Sequence, residues 1–205
     1  MEIKPFNTIK NFNEYKYKEK SSVFIGQVFP VENEISVNSI LDEIKKKYYD
    51  ASHHCYAYAL IDGSYKYSDA GEPNGSAGIR INNAIQHFKL LNILVVIIRY
   101  FGGTKLGIGP LGKAYYQTAF SLLENSKIIE RIPYKNVIIQ TSFSAVKSVY
   151  SILSRTDSKI IKQKSGENLI IECQLKYDKI DLIKQKLIDA LGAKLNFEEK
   201  DLIYL

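Results

Sequence analysis

Arg99, Lys105 and Lys113 punctuate a glycine-dense stretch, Arg99-Tyr-Phe-Gly-Gly-Thr-Lys-Leu-Gly-Ile-Gly-Pro-Leu-Gly-Lys113, and residues of these types suit the holding of a phosphate. Five of the chain's 12 glycines fall between Gly102 and Gly112. Backbone without side chains adopts conformations closed to other residues and lets a ligand approach closely. The stretch follows an apolar β-branched run, Ile93 to Ile98, that reads as a buried strand, and a helix is expected to begin at Pro110. Leu111, Ala114, Tyr115, Thr118, Ala119 and Leu122 give that helix a continuous face. Strand, glycine loop and helix N-terminus would gather free N–H groups at the positive end of a helix dipole, which makes an anion cradle.

Two phosphate-binding patterns can be tried on this loop. Gly107-x-Gly109-x-x-Gly112 matches the dinucleotide fingerprint, with Glu130 near the place of an acidic ribose partner. Those glycines should follow the strand at once, however, and Arg99 to Leu106 intervenes. Gly107-x-x-x-x-Gly112-Lys113 begins a P-loop, but Ala114 stands where a Ser or Thr would hold magnesium. Neither pattern is complete, and no cofactor is expected.

A second set of candidates lies upstream. His53-His54-Cys55 opens a strand, in which His53 and Cys55 point to one face and His54 and Tyr56 to the other. A metal would need further ligands, with His87, Asp69 and Glu72 as the obvious recruits, and no metal site is expected. Ser68-Asp69-Ala-Gly71-Glu72-Pro73-Asn74-Gly75-Ser76-Ala-Gly78 is a turn by composition, in which Asp69 and Glu72 could serve as an acid–base pair or as turn and cap residues. Ser76 is expected to cap the following helix, and Arg80 falls in its first turns, where it could share a cleft with Arg99. His54, Asp69 and Glu72 are therefore the weak candidates for catalysis, short of a complete nucleophile, base and orienter.

The elements that must position these residues read as α+β. Glu14 to Lys18 alternates like a strand edge, Val23 to Val31 reads as a strand, and Val37, Ile40, Leu41, Ile44 and Tyr48 share a helix face ending in Lys45-Lys46-Lys47. The strand from His53 to Ile61 turns at Asp62-Gly63 into a return strand, Tyr65 to Ser68. Ala77, Ile81, Ala84, Ile85, Phe88 and Leu91 form the next helix stripe. Asn125 to Ile132 reads as a connection, and Pro133 as the boundary between domains 1–132 and 133–205. Beyond it come a strand at Val137–Phe143, a helix through Val146, Val149, Tyr150 and Leu153, and strands at Lys159–Lys164 and from Leu169 to Leu175. A helix through Ile180, Ile183, Leu187 and Leu191, stopped at Gly192, and a last strand at Leu195–Leu205 complete the order β-α-β-β-α-β, the ferredoxin-like pattern. Alternation places Cys173 in the core.

The 205-residue composition, 45% hydrophobic and 24% charged, is that of a globular chain, without a membrane span or an apolar signal core at its start. Cys55 and Cys173, one in each half, suggest reduced thiols and a cytoplasmic protein. The net charge of +6 favours a polyanionic partner.

Taken together, His53-His54-Cys55-Tyr56-Ala57, Asp69-x-Gly71-Glu72-Pro73-x-Gly75-Ser76-Ala77-Gly78 and Val95-Val96-x-x-Arg99-Tyr100-Phe101-Gly102-Gly103-x-Lys105-Leu106-Gly107 resemble the signature of the IMPACT family, and Ser22-Val-Phe24-Ile25 fits it too. The likeness covers residues 15–130 most strongly. It implies an N-terminal α/β domain of the ribosomal-protein type, similar to domain IV of elongation factor G, followed by a domain similar to that factor's domain V. It also implies translation and RNA as the setting. The chain departs from the family pattern at Val23, where a basic residue is common, at Ile79-Arg80 in place of Lys-Pro, and at Pro110 in place of glycine.

The function expected from these observations is a non-catalytic RNA- or ribosome-binding regulator of translation. Arg80, Arg99, Lys105 and Lys113 would meet phosphate, Tyr100 and Phe101 would stack on bases, and Gly102 and Gly103 would admit the nucleic-acid backbone. The alternatives are a hydrolase or nuclease using His54, Asp69 and Glu72, and a module that binds a protein partner. The oligomeric state is not written in the sequence.

Overall fold

The computed structural model of the chain describes residues 3–192 and 195–205. The chain divides into two units, Phe6–Glu130 and a second that takes Arg131–Leu205 with the described residues before Phe6.

The first unit is built on β2 (Asn13–Glu19), β3 (Ser22–Pro30), β4 (His53–Ala59), β5 (Tyr65–Ser68) and β6 (Ile93–Tyr100), in the order β2-β3-β6-β4-β5. Every neighbouring pair is antiparallel. The β-branched run at Ile93–Ile98 forms the central strand because it is buried on both faces. One face carries α1 (Glu34–Lys47), whose Val37, Leu41 and Ile44 pack on Ile25, Leu94, Val96 and Ile98. Asn33 starts that helix with a capping box shared with Ser36.

The other face carries α2 (Gly78–His87) and α3 (Ile108–Glu124), with Ile81, Ala84, Ile85, Leu111, Tyr115 and Leu122 against Phe24, Val28, Cys55 and Ile97. Gly26 lets α3 settle on β3, since a Cβ there would lie 3.1 Å from Thr118 Cγ2. Two short strands, β1 (Phe6–Ile9) and β7 (Ile128–Arg131), pair separately where the sequence reads as unpatterned chain and connection. Four residues each are too few for a periodic signal.

The second unit runs β8 (Pro133–Ser142), α4 (Val146–Ser154), β9 (Lys159–Ser165), β10 (Asn168–Lys176), α5 (Ile180–Leu191), β11 (Asn196–Tyr204). Its antiparallel sheet has the order β11-β8-β10-β9. Val149, Leu153, Ile180, Ile183 and Leu187 cover one face of it, over Val137, Ile139, Leu169, Ile171, Cys173 and Leu175. Burial pushes the Cys173 thiol up to about 12. β8 begins at Pro133, four residues before the expected Val137, because the first residue of a strand tolerates proline. No described helix is long and apolar enough to cross a membrane.

Candidate functional site

Antiparallel pairing of β6 sets Phe24 of β3 and His53 of β4 on either side of Arg99. Arg99 stands next to last in an otherwise apolar strand and keeps only 5% of its surface exposed. A buried guanidinium needs a carboxylate, and Glu72 supplies it from the loop after β5. Arg99 Nη1 donates to Glu72 Oε1 at 2.6 Å, and Nη2 donates to Ser22 Oγ at 3.2 Å. The guanidinium lies over the rings of Phe24 and Phe101, at 5.3 and 5.5 Å from their centroids. The Tyr115 hydroxyl donates to the same Glu72 oxygen at 2.7 Å. His53 Nε2 stands 3.7 Å from Glu72 Oε2, and its Nδ1 lies 2.9 Å from the Ala70 carbonyl. Arg99, expected to meet phosphate at the surface, is thus committed inside the protein. It ties three chain segments together through Glu72 and Ser22.

The other expected acid–base residues divide in the same way. The Asp69 carboxylate accepts from the backbone N–H groups of Gly75, Ala77 and Gly78 at 2.9, 2.9 and 2.8 Å. Burial pushes its carboxyl upward, but these three donors outweigh it and hold the group below its ordinary value. Asp69, not Ser76, therefore satisfies the start of α2, and the Ser76 hydroxyl donates to the Pro73 carbonyl at 2.6 Å. His54 faces the α1 side of the sheet, with Nε2 3.0 Å from the Tyr48 carbonyl, opposite the face that carries Glu72. His54, Asp69 and Glu72 are not brought together as a catalytic group. Cys55 is buried beside them, donating to the Asp69 carbonyl at 3.0 Å. Burial pushes its thiol up to about 12, against the opposing pull of Tyr115, so it stays protonated and non-nucleophilic near neutrality.

The glycine loop rises directly from this buried clamp. A Cβ on Gly102 would sit 2.0 Å from the Ser21 carbonyl oxygen, so only glycine lets the loop lie against the start of β3. Gly103 and Gly107 have φ of +83° and +86°, a region that side chains disfavour. Phe101 N–H donates to Ser52 Oγ at 3.1 Å while its ring stays 46% exposed. Tyr100, the other aromatic expected to stack, is half-buried in the α1-side cluster and donates to Asp50 Oδ1 at 2.9 Å. α3 begins at Ile108, two residues before the expected Pro110, and Gly107 gives it no side-chain cap. Pro110 stays within the first turn, where its missing N–H costs nothing.

Gly103, Lys105, Gly109 and Lys113 are exposed, and neither lysine has an acidic partner among the described residues. Arg80 is exposed nearby, anchored through its Nε to the Gly75 carbonyl at 3.3 Å. The outward-facing set is therefore Arg80, Phe101, Gly103, Lys105 and Lys113. Sequence reasoning missed Ser22, His53 and Tyr115 as parts of the clamp. Tyr115 sits on the helix face that periodicity assigns to the core, where nothing marks one hydroxyl for a buried carboxylate.

Residues 20–123 match the family model described as the Impact N-terminal domain. The IMPACT family member YvyE of Bacillus subtilis (strain 168) is 25% identical over 200 residues, covering 97% of this chain and 92% of that protein. The IMPACT family member YigZ of Escherichia coli (strain K12) is 26% identical over 180 residues, covering 86% of this chain and 88% of its own length. The crystal structure of a hypothetical protein superposes with a TM-score of 0.69 at 22% identity, covering 97% of this chain and 98% of that one.

Proposed function

The chain belongs to the IMPACT family, and from that premise we propose that it is an RNA- or ribosome-binding regulator of translation with no chemistry of its own. The observation that carries this reading is the partition of charge around the glycine loop. Asp69 and Glu72, the acids of the loop before α2, are turned inward onto backbone N–H groups and onto Arg99. The cations Arg80, Lys105 and Lys113 are turned outward beside an exposed phenyl ring and backbone bare of side chains. Phosphates and unstacked bases are the ligands that such a surface fits.

The same reading assigns Phe6–Glu130 to the ribosomal-protein type of domain, similar to domain IV of elongation factor G. The β-α-β-β-α-β unit takes the ferredoxin-like role of that factor's domain V. A cytoplasmic setting goes with it.

Binding to ribosomes and to short single-stranded RNA across a salt series tests the reading, with the wild type beside Lys105→Ala/Lys113→Ala. The expected result is weaker binding and a salt slope shallower by about 0.7 for each phosphate that is no longer neutralised. Equal affinity and equal slope for the two proteins would move the interface away from this loop. Salt-independent binding to a protein partner alone would replace RNA with the protein-module alternative.

A further inference from the structure

The outer surface between α2 and α3 holds an open depression of about 380 Å³, lined by Arg80 and Asn83 on one side and by Gly109, Gly112, Lys113 and Tyr116 on the other. The spacing explains why these residues meet. Arg80, Asn83 and His87 share one stripe of α2, and Gly109, Gly112, Lys113, Tyr116 and Phe120 share one stripe of α3. The two glycines create the space. A Cβ on Gly109 would meet nothing within 4 Å, and one on Gly112 would press on Arg80 Nε at 3.2 Å.

Beyond Tyr116, at the edge of the groove, lies a cluster of mutually tilted rings. Tyr116 lies 5.8 Å from Phe120, and Phe120 lies 5.2 Å from His87, centroid to centroid. One end of the groove is thus cationic and the other aromatic, and its volume falls within the range of about 300–1,000 Å³ usual for ligand sites.

We propose that this depression holds one phosphorylated nucleoside unit, with the phosphate between Arg80 and Lys113 and the base against the ring of Tyr116. The inference deepens the RNA-binding reading by giving the strand a seat beside the glycine loop. Its chemistry is shared by a nucleotide within a single strand and by a free nucleotide. Cationic side chains neutralise the phosphate, the bare α3 backbone at Gly109 and Gly112 leaves room for the sugar, and any base can lie on the ring without regard to sequence.

The test follows labelled short oligouridylate and oligoadenylate by anisotropy, and uridine and adenosine 5′-monophosphates by NMR titration. The proteins are the wild type, Gly109→Leu, Tyr116→Leu and Lys105→Ala, each checked for an unchanged fold by thermal melting. Gly109→Leu puts its Cβ in open space and extends its side chain into the depression, and Tyr116→Leu removes the ring while keeping an apolar side chain. Both should weaken binding about tenfold or more. If oligonucleotides bind and lose affinity in these two variants, the proposal stands with a strand as the source. If only the monophosphates bind and lose affinity, the groove stands with a free nucleotide as its ligand, and the RNA reading falls. Oligonucleotide binding weakened by Lys105→Ala but not by either groove variant overturns the groove and leaves the RNA reading intact. No binding of either probe by the folded wild type overturns both.

Discussion

Two loops of the first unit end at helix N-termini on the same face of the sheet, and they solve the same problem in opposite ways. The loop before α2 carries its own anion. Asp69 turns back onto the N–H groups of Gly75, Ala77 and Gly78, and Glu72 turns inward onto Arg99. The loop before α3 has no side-chain cap and no acidic residue in its first turn, and exposed lysines stand on either side of it. Glycine and a helix N-terminus are thus common to both. What separates them is whether the chain supplies a carboxylate to the N–H groups at the helix start, as Asp69 does for α2 and no side chain does for α3. The first loop is closed by its own acids, and the second leaves its lysines exposed.

The largest effect should come from the point where the two loops are joined. Glu72→Ala removes the partner of a buried guanidinium, and breaking such a pair costs about 3–5 kcal/mol. Urea denaturation should show that loss, and the tilt of the Phe101 loop should change with it, since Arg99 also lies under the Phe101 ring. Lys105→Ala, a change on the exposed loop, should stay within about 0.5 kcal/mol of wild type. A Glu72→Ala protein as stable as Lys105→Ala would dissolve the distinction between a closed loop and an open one.

A smaller effect, with a pH signature, belongs to Asp69. Asp69→Ala should lose about 1–2 kcal/mol at neutral pH, as cap removals do. The folded-state carboxyl titrates below its ordinary value, so the folded protein binds fewer protons than the unfolded chain as the pH drops. Its contribution is therefore complete above the ordinary carboxylate range and disappears as the pH falls through the lowered value. The gap in stability between wild type and Asp69→Ala should close on acidification. A gap that stays constant down to strongly acid pH would mean that the three N–H bonds to Asp69 do not depend on its charge.

Much of this was legible in the sequence because it rests on periodicity. The central strand at Ile93–Ile98, the helices through Val37 and Ile81, and the order of the second unit all follow from where apolar residues recur. The glycine loop was legible as an exposed, basic turn. Its partition of charge was not. Arg99, Lys105 and Lys113 look equivalent in a string of letters, and only strand pairing places Arg99 between Phe24 and His53 while the lysines remain outside. Asp69 and Glu72 likewise share one turn, but the first meets backbone and the second a side chain 27 positions away. Long-range pairing of this kind leaves no local pattern. The depression between α2 and α3 escaped for the same reason, since it needs two helix stripes to face each other.

The smallest net effect, at Gly109, gives the finest test when set beside Gly78, because one substitution in the two loops should change stability in opposite directions. Gly78 opens α2, and a Cβ there would lie 2.7 Å from Ser68 N and 2.8 Å from its carbonyl carbon and oxygen. Backbone cannot move aside as a flexible side chain can, so Gly78→Ala should destabilise by about 1–3 kcal/mol. Gly109 lies in the first turn of α3 and would add its methyl group to open space. Alanine loses less conformational freedom in a helix than glycine, so Gly109→Ala should stabilise by up to about 1 kcal/mol. Paired melting curves read both signs at once. A stabilising Gly109→Ala would mean that glycine is kept there at a cost to the helix, as expected of a backbone left bare for a ligand, whereas equal losses at both positions would mean that the start of α3 is as tightly packed as the start of α2.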